Sequence, residues 1–467
     1  MRYAHQERVL LESRDLTNFA LFWEMGTGKT KLILDTVAHL RDAGKITAVL
    51  VVAPNGVHRN WIEDEIPKWL PGINAKAWIS GKAGSQRHQK EWEALLKQPF
   101  PFAAFSYDGL MTDRAVKYLR KFFDAHRVFM VLDESTKIKS PGAKRTMKLL
   151  AAGKRATHRR ILTGTPVANS PFDIYSQMKF LDPAFWKERG FQTQAEFRNH
   201  FGIIKTMENE RHQRWEVVVA YRNLNELQSI LAPVSSRVLK EDALDLPPKI
   251  YTKRYFELSA EQVRVYREIR DEAIALLASG AIVTAPLAVT RLLRLQQVTS
   301  NYLPTEDEPA TDIGTHNPRL DCLAELLEEM QGQAIIWARF RRDIDQIMAL
   351  LGDKAVRYDG AVNSDDRVAN KNKFQAGEAQ YFVGNPAAGA TGLTLTAARS
   401  VIYYTNSFRL EDRLQSEDRA HRIGQNFPVQ YIDIVAPGTV DVHIVAALRD
   451  KVNVAASVTG DQLREWI

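Results

Sequence analysis

The amino-acid sequence predicts an α/β protein of two doubly wound parallel-sheet lobes, and three observations lead there. Short β-branched or aromatic runs alternate with helical stretches over the first 180 residues. A second series of such runs extends from residue 334 to residue 435. Between them, from about 171 to 250, the pattern turns irregular. Strands that alternate with crossover helices form parallel sheets, so each series reads as one lobe.

The elements follow in chain order. The glycine-rich loop of LFWEMGTGKT (21–30) opens a helical stretch, KTKLILDTVAHLRDAG, in which Leu32, Ile33, Val37 and Leu40 share a face and Gly44 is placed as a stop. The first-lobe runs are ITAVLVVAP (46–54), FAAFSY (102–107), VFMVLDE (128–134) and RILTGT (160–165). From about 171 to 250 the pattern turns irregular and mixed in charge, and Pro247 and Pro248 break any continuing helix. The later runs are AIIWARF (334–340), AVRYDG (355–360), YFVGNP (381–386), SVIYYTN (400–406) and VQYIDIV (429–435). The expected division is a first lobe over 1–170, an irregular and helical insertion with an interlobe linker over 171–250, and a second lobe over 251–467. LPTEDEPATDIGTHNP (303–318) reads as a surface loop.

The loop ends as a phosphate-binding loop does, although the stricter pattern has Gly where Trp23 stands. Gly26 and Gly28 let the backbone turn its amides toward phosphate oxygens, Lys29 can reach the β and γ phosphates, and the Thr30 hydroxyl can hold Mg²⁺. An ordinary glycine turn before a helix would share this tail. VFMVLDE decides between them, because it sets Asp133 and Glu134 at the carboxyl edge of a buried strand, where ligands of doubly wound sheets bind. Asp133 suits a Mg²⁺ site and Glu134 suits a base for the attacking water. Trp23 lies upstream of the cradle and is expected to pack beneath it. In QSEDRAHRIGQ, Arg419 and Arg422 are three apart, which on a helical turn places both guanidinium groups on one face, able to stabilise charge on a transferring phosphoryl group. Seen alone, that pair is more simply a solvated helix bridged to Glu417 and Asp418.

In this order the motifs make the chain resemble a helicase superfamily 2 ATPase of the Swi/Snf type over nearly its whole length. The family's own loop has Asp, not Gly, at the place of Trp23. VVAPNGVHRNW (51–61) and FSYDGL (105–110) resemble the segments that grip a nucleic-acid backbone, and LTGTPVANS (162–170) resembles the coupling motif. The resemblance implies two RecA-like lobes with a nucleotide cleft between them, opening and closing with hydrolysis. It implies ATP and Mg²⁺, with nucleotide contacts from Gln6 (adenine), Met25, Gly26, Thr27, Gly28, Lys29, Thr30 and Gly392. Thr30 and Asp133 are the implied metal ligands, and Lys29, Asp133, Glu134, Arg419 and Arg422 the implied catalytic residues. One departure stands out: the family's acidic box ends in His, whereas Ser135 and Thr136 follow Glu134 here. A hydroxyl can still hydrogen-bond the coupling motif, with a weaker link between nucleic-acid binding and hydrolysis as the expectation.

The formal charge of +7 admits a polyanionic partner. From Ser135 to Phe172 there are nine Lys and Arg residues and no Asp or Glu, a run that could follow phosphates or simply form a solvated face. Lys137 and Lys139 from that run, and Arg339 after a second-lobe strand, are candidate nucleic-acid contacts, to which the resemblance adds Thr394 and the loop at Gly392. Aromatic interleaving of the base-stacking kind is absent, which favours a double-stranded DNA backbone over splayed bases. The single Cys322 excludes an internal disulfide framework and a cysteine zinc cage, so any metal is held by oxygen. No apolar run approaches the roughly 18 residues of a membrane span, and the N-terminal stretch lacks a signal-peptide core, so the expected location is the cytoplasm of a bacterial or phage-infected cell, or the nucleus of a eukaryote.

The expected function is an ATP-dependent translocase on double-stranded DNA, working as a monomer and open to a targeting protein. With Gln6 near the start and about 40 residues after Gln425, little room is expected for a strand-splitting wedge. The rival readings are a helicase that unwinds DNA or RNA, a small-molecule P-loop kinase, and a non-enzymatic DNA-binding scaffold with a structural nucleotide site.

Overall fold

A computed structural model of the chain describes residues 2–208, 214–278, 285–304, 311–389 and 393–461. It divides into two compact units, one of residues 1–203, 221–245 and 454–462, the other of residues 204–220, 246–453 and 463–467.

In the first unit, β1 (Asn18–Trp23), β2 (Ala48–Ala53), β3 (Ala75–Ala77), β4 (Phe102–Ser106), β5 (Val128–Asp133) and β6 (His158–Leu162) form a parallel sheet. A separate hairpin of β7 (Gly202–Glu208) and β8 (Arg214–Tyr221), whose residues 204–220 fall in the second unit, precedes β9 (Ser235–Val238), which completes the order β3-β4-β2-β5-β6-β1-β9. The strands are near-continuous apolar runs because both faces are covered. Val128, Met130 and Leu132 of β5 enter one core with Leu50, Phe105 and Ile161. Phe129 and Val131 enter the other with Val49, Phe102 and Leu162. That alternation is the period of two expected of an extended strand. The helix Lys29–Asp42 covers the second face with Leu32, Ile33, Val37 and Leu40, all buried, and Gly44 follows its end at φ +65°. The end of a long C-terminal helix, Val440–Thr459, also belongs to this unit, where Val458 packs in the first core with Leu227 and Leu231.

The second unit holds a six-stranded parallel sheet. Its strands are β10 (Lys249–Tyr255), then, after the short antiparallel pair β11 (Tyr302–Leu303) and β12 (Thr311–Asp312), β13 (Gln333–Trp337), β14 (Ala355–Tyr358), β15 (Tyr381–Gly384), β16 (Ala398–Tyr403) and β17 (Val429–Val435). Their order is β10-β17-β16-β13-β15-β14. Ala334, Ile336, Ile402 and Ile432 face one core, and Ile335, Trp337, Val401 and Tyr431 the other.

The two doubly wound parallel-sheet lobes expected from the sequence are therefore present. The stretch read as irregular is more ordered than its composition suggests: it contains the helices Ile174–Leu181, Gln194–Phe201 and Leu224–Leu231, the hairpin, and β9. β9 lacks an apolar run because it is an edge strand, half-exposed along most of its length. Within 303–318, read as a surface loop, β12 supplies a short strand. Among the described residues no helix is long and apolar enough to cross a membrane.

Candidate nucleotide site

Topology assembles the first-lobe site. β6 lies between β1 and β5, so the loop after β1, the acid pair after β5 and the coupling segment after β6 leave one carboxyl edge side by side, with Asp133 opposite Leu162.

Gly26 (φ +84°) and Gly28 (φ +89°) hold the loop in left-handed conformations that side chains resist. At Gly28 a Cβ would also lie 2.2 Å from Gln6 Nε2. The 14-residue helix begins at Lys29, so the first-turn amides, Thr30 included, are donors without helical acceptors at the positive end of the dipole. Lys29 Nζ donates to Trp23 O (2.8 Å) and Glu24 O (3.2 Å), folding back over the loop. Burial lowers its pKa, while the charges of Glu134 and Asp133 pull it back up, so both carboxylates lie within electrostatic reach. Thr27 Oγ1 donates to Glu24 O at 2.8 Å.

Trp23 does pack beneath the loop: it is fully buried and donates through Nε1 to Ser236 Oγ at 3.1 Å. The N-terminal helix Ala4–Ser13 holds the far side. His5 Nε2 donates to Thr27 O (2.8 Å) and Gln6 Nε2 to Gly28 O (3.0 Å). Gln6 Oε1 accepts from the Tyr3 amide at 2.9 Å, so both ends of the side chain expected to read adenine are engaged by backbone.

Asp133 is buried; its Oδ2 accepts from Trp61 Nε1 (2.9 Å) and its Oδ1 from the Glu134 amide (3.1 Å). Burial raises its pKa, opposed by the Trp61 hydrogen bond and by Lys29. Glu134 adopts φ +53°, a left-handed conformation that costs a non-glycine residue roughly 1–3 kcal/mol and recurs at functional sites. Thr163 Oγ1 approaches Glu134 Oε2 at 3.5 Å. Ser135 reaches the coupling segment through an intermediary: its Oγ donates to Gln177 Oε1 (2.6 Å), and Gln177 Nε2 donates to Pro166 O and Asp173 O, each at 2.8 Å. Asp173 Oδ2 accepts from the amides of Ala168 (3.0 Å) and Asn169 (2.7 Å). Sequence reasoning missed both residues. Asp173 had a signal, since Ser170-Pro-Phe-Asp173 is a capping box; Gln177 had none.

Arg419 and Arg422 belong to the second unit. They do not lie on a helical face as expected: the helix Leu410–Glu417 ends before them and they sit in the turns that follow. They converge nonetheless, because Nη1 of each donates to Leu393 O, at 3.3 and 2.9 Å. Glu417 is not part of a solvated face. It is fully buried, accepts from Arg413 Nε (2.8 Å), Lys249 Nζ (3.1 Å) and Tyr251 OH (2.7 Å), and Arg413 forks onto Asp433 at 2.5 and 3.0 Å. Burial lowers the Arg422 pKa. Thr394, half-buried, follows the shared carbonyl, and Gly392 lies outside the described residues.

The basic run divides. Arg160 is a structural residue: 1% exposed, it donates to the carbonyls of Ser13, Leu16, Thr17 and Arg159, and burial pushes its pKa down to about 9. Arg145 pairs with Asp108, and Arg155 with Asp124 at 2.5 Å. Lys137 and Lys139 are half-buried in the turn after Ser135. Arg339, also half-buried, donates to Gln296 Oε1, and its amide donates to Thr405 Oγ1 at 2.8 Å.

No cluster of three or more His, Cys, Asp or Glu side chains able to hold a metal occurs among the described residues. Thr30 and Asp133 suit Mg²⁺ nonetheless, since that ion is commonly held by one or two protein oxygens together with substrate phosphates.

A profile of the SNF2-related domain matches residues 8–301, more than half of the chain, and one of the helicase conserved C-terminal domain matches residues 318–424. The chain belongs to the SNF2-related family. It is 26% identical over 440 residues to the human SWI/SNF-related matrix-associated actin-dependent regulator of chromatin subfamily A member 1, covering 90% of this chain and 40% of that protein. It is 27% identical over 455 residues to the Danio rerio chromodomain-helicase-DNA-binding protein 1-like, covering 93% and 41%. The chain thus spans about two fifths of the length of these relatives. A solved structure, the Sulfolobus solfataricus SWI2/SNF2 ATPase core in complex with dsDNA, aligns over 98% of this chain and 94% of its own, at 22% identity and a TM-score of 0.41.

Proposed function

We propose that this SNF2-related protein is a DNA-stimulated ATPase that translocates along double-stranded DNA. The observation that carries the reading is the shared edge of the first sheet, where a left-handed glycine loop with Lys29 stands beside Asp133, Glu134 and the coupling segment. Loop amides and Lys29 would bind the phosphates of ATP, Thr30 and Asp133 would hold Mg²⁺, which would screen the charge of the phosphates, and Glu134 would take the proton of the attacking water. Arg419 and Arg422 would add positive charge at the transition state when the lobes close. Lys137, Lys139, Arg339, Thr394 and the loop at Gly392 would contact DNA phosphates, a mode with little base specificity. Family membership supports the reading.

The test is ATP turnover with duplex DNA, single-stranded DNA and RNA side by side, together with displacement of a third strand from a triplex. Stimulation by duplex that falls steeply with salt, and triplex displacement with the duplex strands left paired, are the expected results. Efficient fork unwinding would replace the translocase with a strand-separating helicase. Binding without turnover would leave a scaffold.

A further inference from the structure

The outer wall of the phosphate loop is built by the segment 235–240. The Trp23 indole donates to Ser236 Oγ at 3.1 Å, the Glu24 amide to Val238 O at 3.0 Å, and the Lys240 amide to Glu24 Oε2 at 2.7 Å. Arg237 lies at the centre of these contacts. Its Nη1 donates to Phe22 O (2.7 Å), at the end of β1, and to Gly164 O (3.1 Å), inside the coupling segment. One guanidinium edge therefore joins the strand that launches the loop to the segment beside Glu134, and its charge is near enough to lower the Lys29 pKa. The other edge is clamped by a carboxylate from far along the chain: Asp461 accepts from Nε at 3.0 and 3.2 Å and from Nη2 at 2.7 Å. Asp461 follows the C-terminal helix, whose last turn is fixed in the first-lobe core by Val458.

A bidentate arginine–carboxylate pair fixes the plane as well as the position of the guanidinium, which a surface contact would not do. We propose that Arg237 is a positioning residue for the phosphate loop and the coupling segment, and that Asp461 sets its orientation, so that the seating of residues 454–461 tunes ATP turnover. The proposal rests on the reading of the loop as an ATP site. Lys cannot replace Arg here, because a point ammonium cannot bond two carbonyls on one edge and a carboxylate on the other.

The test compares Asp461→Asn, Asp461→Glu, Arg237→Lys and the double variant Asp461→Asn/Arg237→Lys in the full chain. Asp461→Asn should lower kcat about ten-fold with KM for ATP within about three-fold, as expected when a charge-assisted contact supports geometry and not ground-state binding. Asp461→Glu should recover part of the loss, and the double variant should be no slower than the slower single one. Without nucleotide, hydrogen exchange should speed up in the peptide spanning 22–30 of Asp461→Asn and stay unchanged in the peptide spanning 128–133. This second readout separates the two readings: faster loop exchange in a protein without ATPase activity would keep the positioning role and remove the ATP site. Unchanged kcat together with unchanged loop exchange would overturn the proposal. So would a loss of kcat accompanied by uniformly faster exchange and a lower melting temperature, which marks simple destabilisation.

Discussion

The loop of the first lobe and the arginine segment of the second are held in contrasting ways. Around the loop most side chains meet backbone or neutral partners: an indole on a serine, a glutamine and a histidine on carbonyls, a hydroxyl on a carbonyl, and the Lys29 ammonium on two carbonyls, with one ion pair, Arg237–Asp461, behind them. The arginine segment follows a helix anchored by a buried ionic network in which Arg413 holds Glu417 and Asp433, and Glu417 also receives Lys249. Burial opposes the charges of Arg413 and Glu417, yet their partners prevail: Asp433 and Glu417 hold the Arg413 pKa well above its ordinary value, and Lys249 and Arg413 hold that of Glu417 below its own. Removing a charge from the loop should therefore stop chemistry and spare the fold, whereas removing one from the network should damage the fold first.

The largest expected effect is at the loop. Lys29→Ala should weaken nucleotide binding and abolish turnover, while Glu134→Gln should bind ATP and fail to hydrolyse it, both at the wild-type melting temperature. Turnover by Glu134→Gln at the parent rate would remove the base from the scheme. Arg422→Ala comes next, with kcat reduced on the order of 10³-fold and ATP affinity within a few-fold. Lost affinity at an unchanged maximal rate would instead make Arg422 a ground-state ligand. Asp433→Asn tests the other side of the contrast: it leaves Arg413 undercompensated and should cost roughly 3–5 kcal/mol in denaturant unfolding. A smaller cost than Lys29→Ala shows would reverse the comparison.

A pH effect sharpens it further. Asp343, buried in the helix Arg341–Leu351, accepts from Thr405 Oγ1 at 2.8 Å, and burial raises its pKa to about 7. The folded state thus holds a proton that the unfolded state releases near pH 4, so this group's contribution falls as pH rises from about 4 to 7 and is level above that. Asp343→Asn should flatten the window by a few kcal/mol, at about 1.4 kcal/mol per pH unit; an unchanged slope would discard the assignment. The smallest effect is expected for Ser135→Ala, which removes one buried hydrogen bond to Gln177 and should cost about 1 kcal/mol, with DNA stimulation reduced more than basal turnover.

The fold was legible where strands are buried on both faces, because runs such as VFMVLD can hardly be anything else. It was not legible at β9, whose SSRV earns its place by pairing with β1 and not by its own apolarity. In the site, the loop and acid pair announced themselves because phosphate chemistry restricts both residue type and spacing. The supports did not. Gln177, Arg237 and Ser236 act through hydrogen bonds across separations that carry no period, and the serines and glutamines around the loop resemble those of any surface. Arg160 shows the converse error, a basic residue counted toward a phosphate track that the fold uses to hold four carbonyls.

The hydrogen bond from Trp61 to Asp133 has a consequence for the order in which ligands arrive. The indole N–H donates to one carboxylate oxygen of Asp133 and the Glu134 amide to the other, so each oxygen keeps a lone pair for a further partner. A bare divalent ion would gain only one protein carboxylate there and would have to surrender much of its hydration, a poor exchange for an ion as reluctant to dehydrate as Mg²⁺. An ion already chelated by a triphosphate brings most of its ligands with it. On the proposed reading of Asp133 as a Mg²⁺ ligand, the ion would arrive with the nucleotide and not ahead of it.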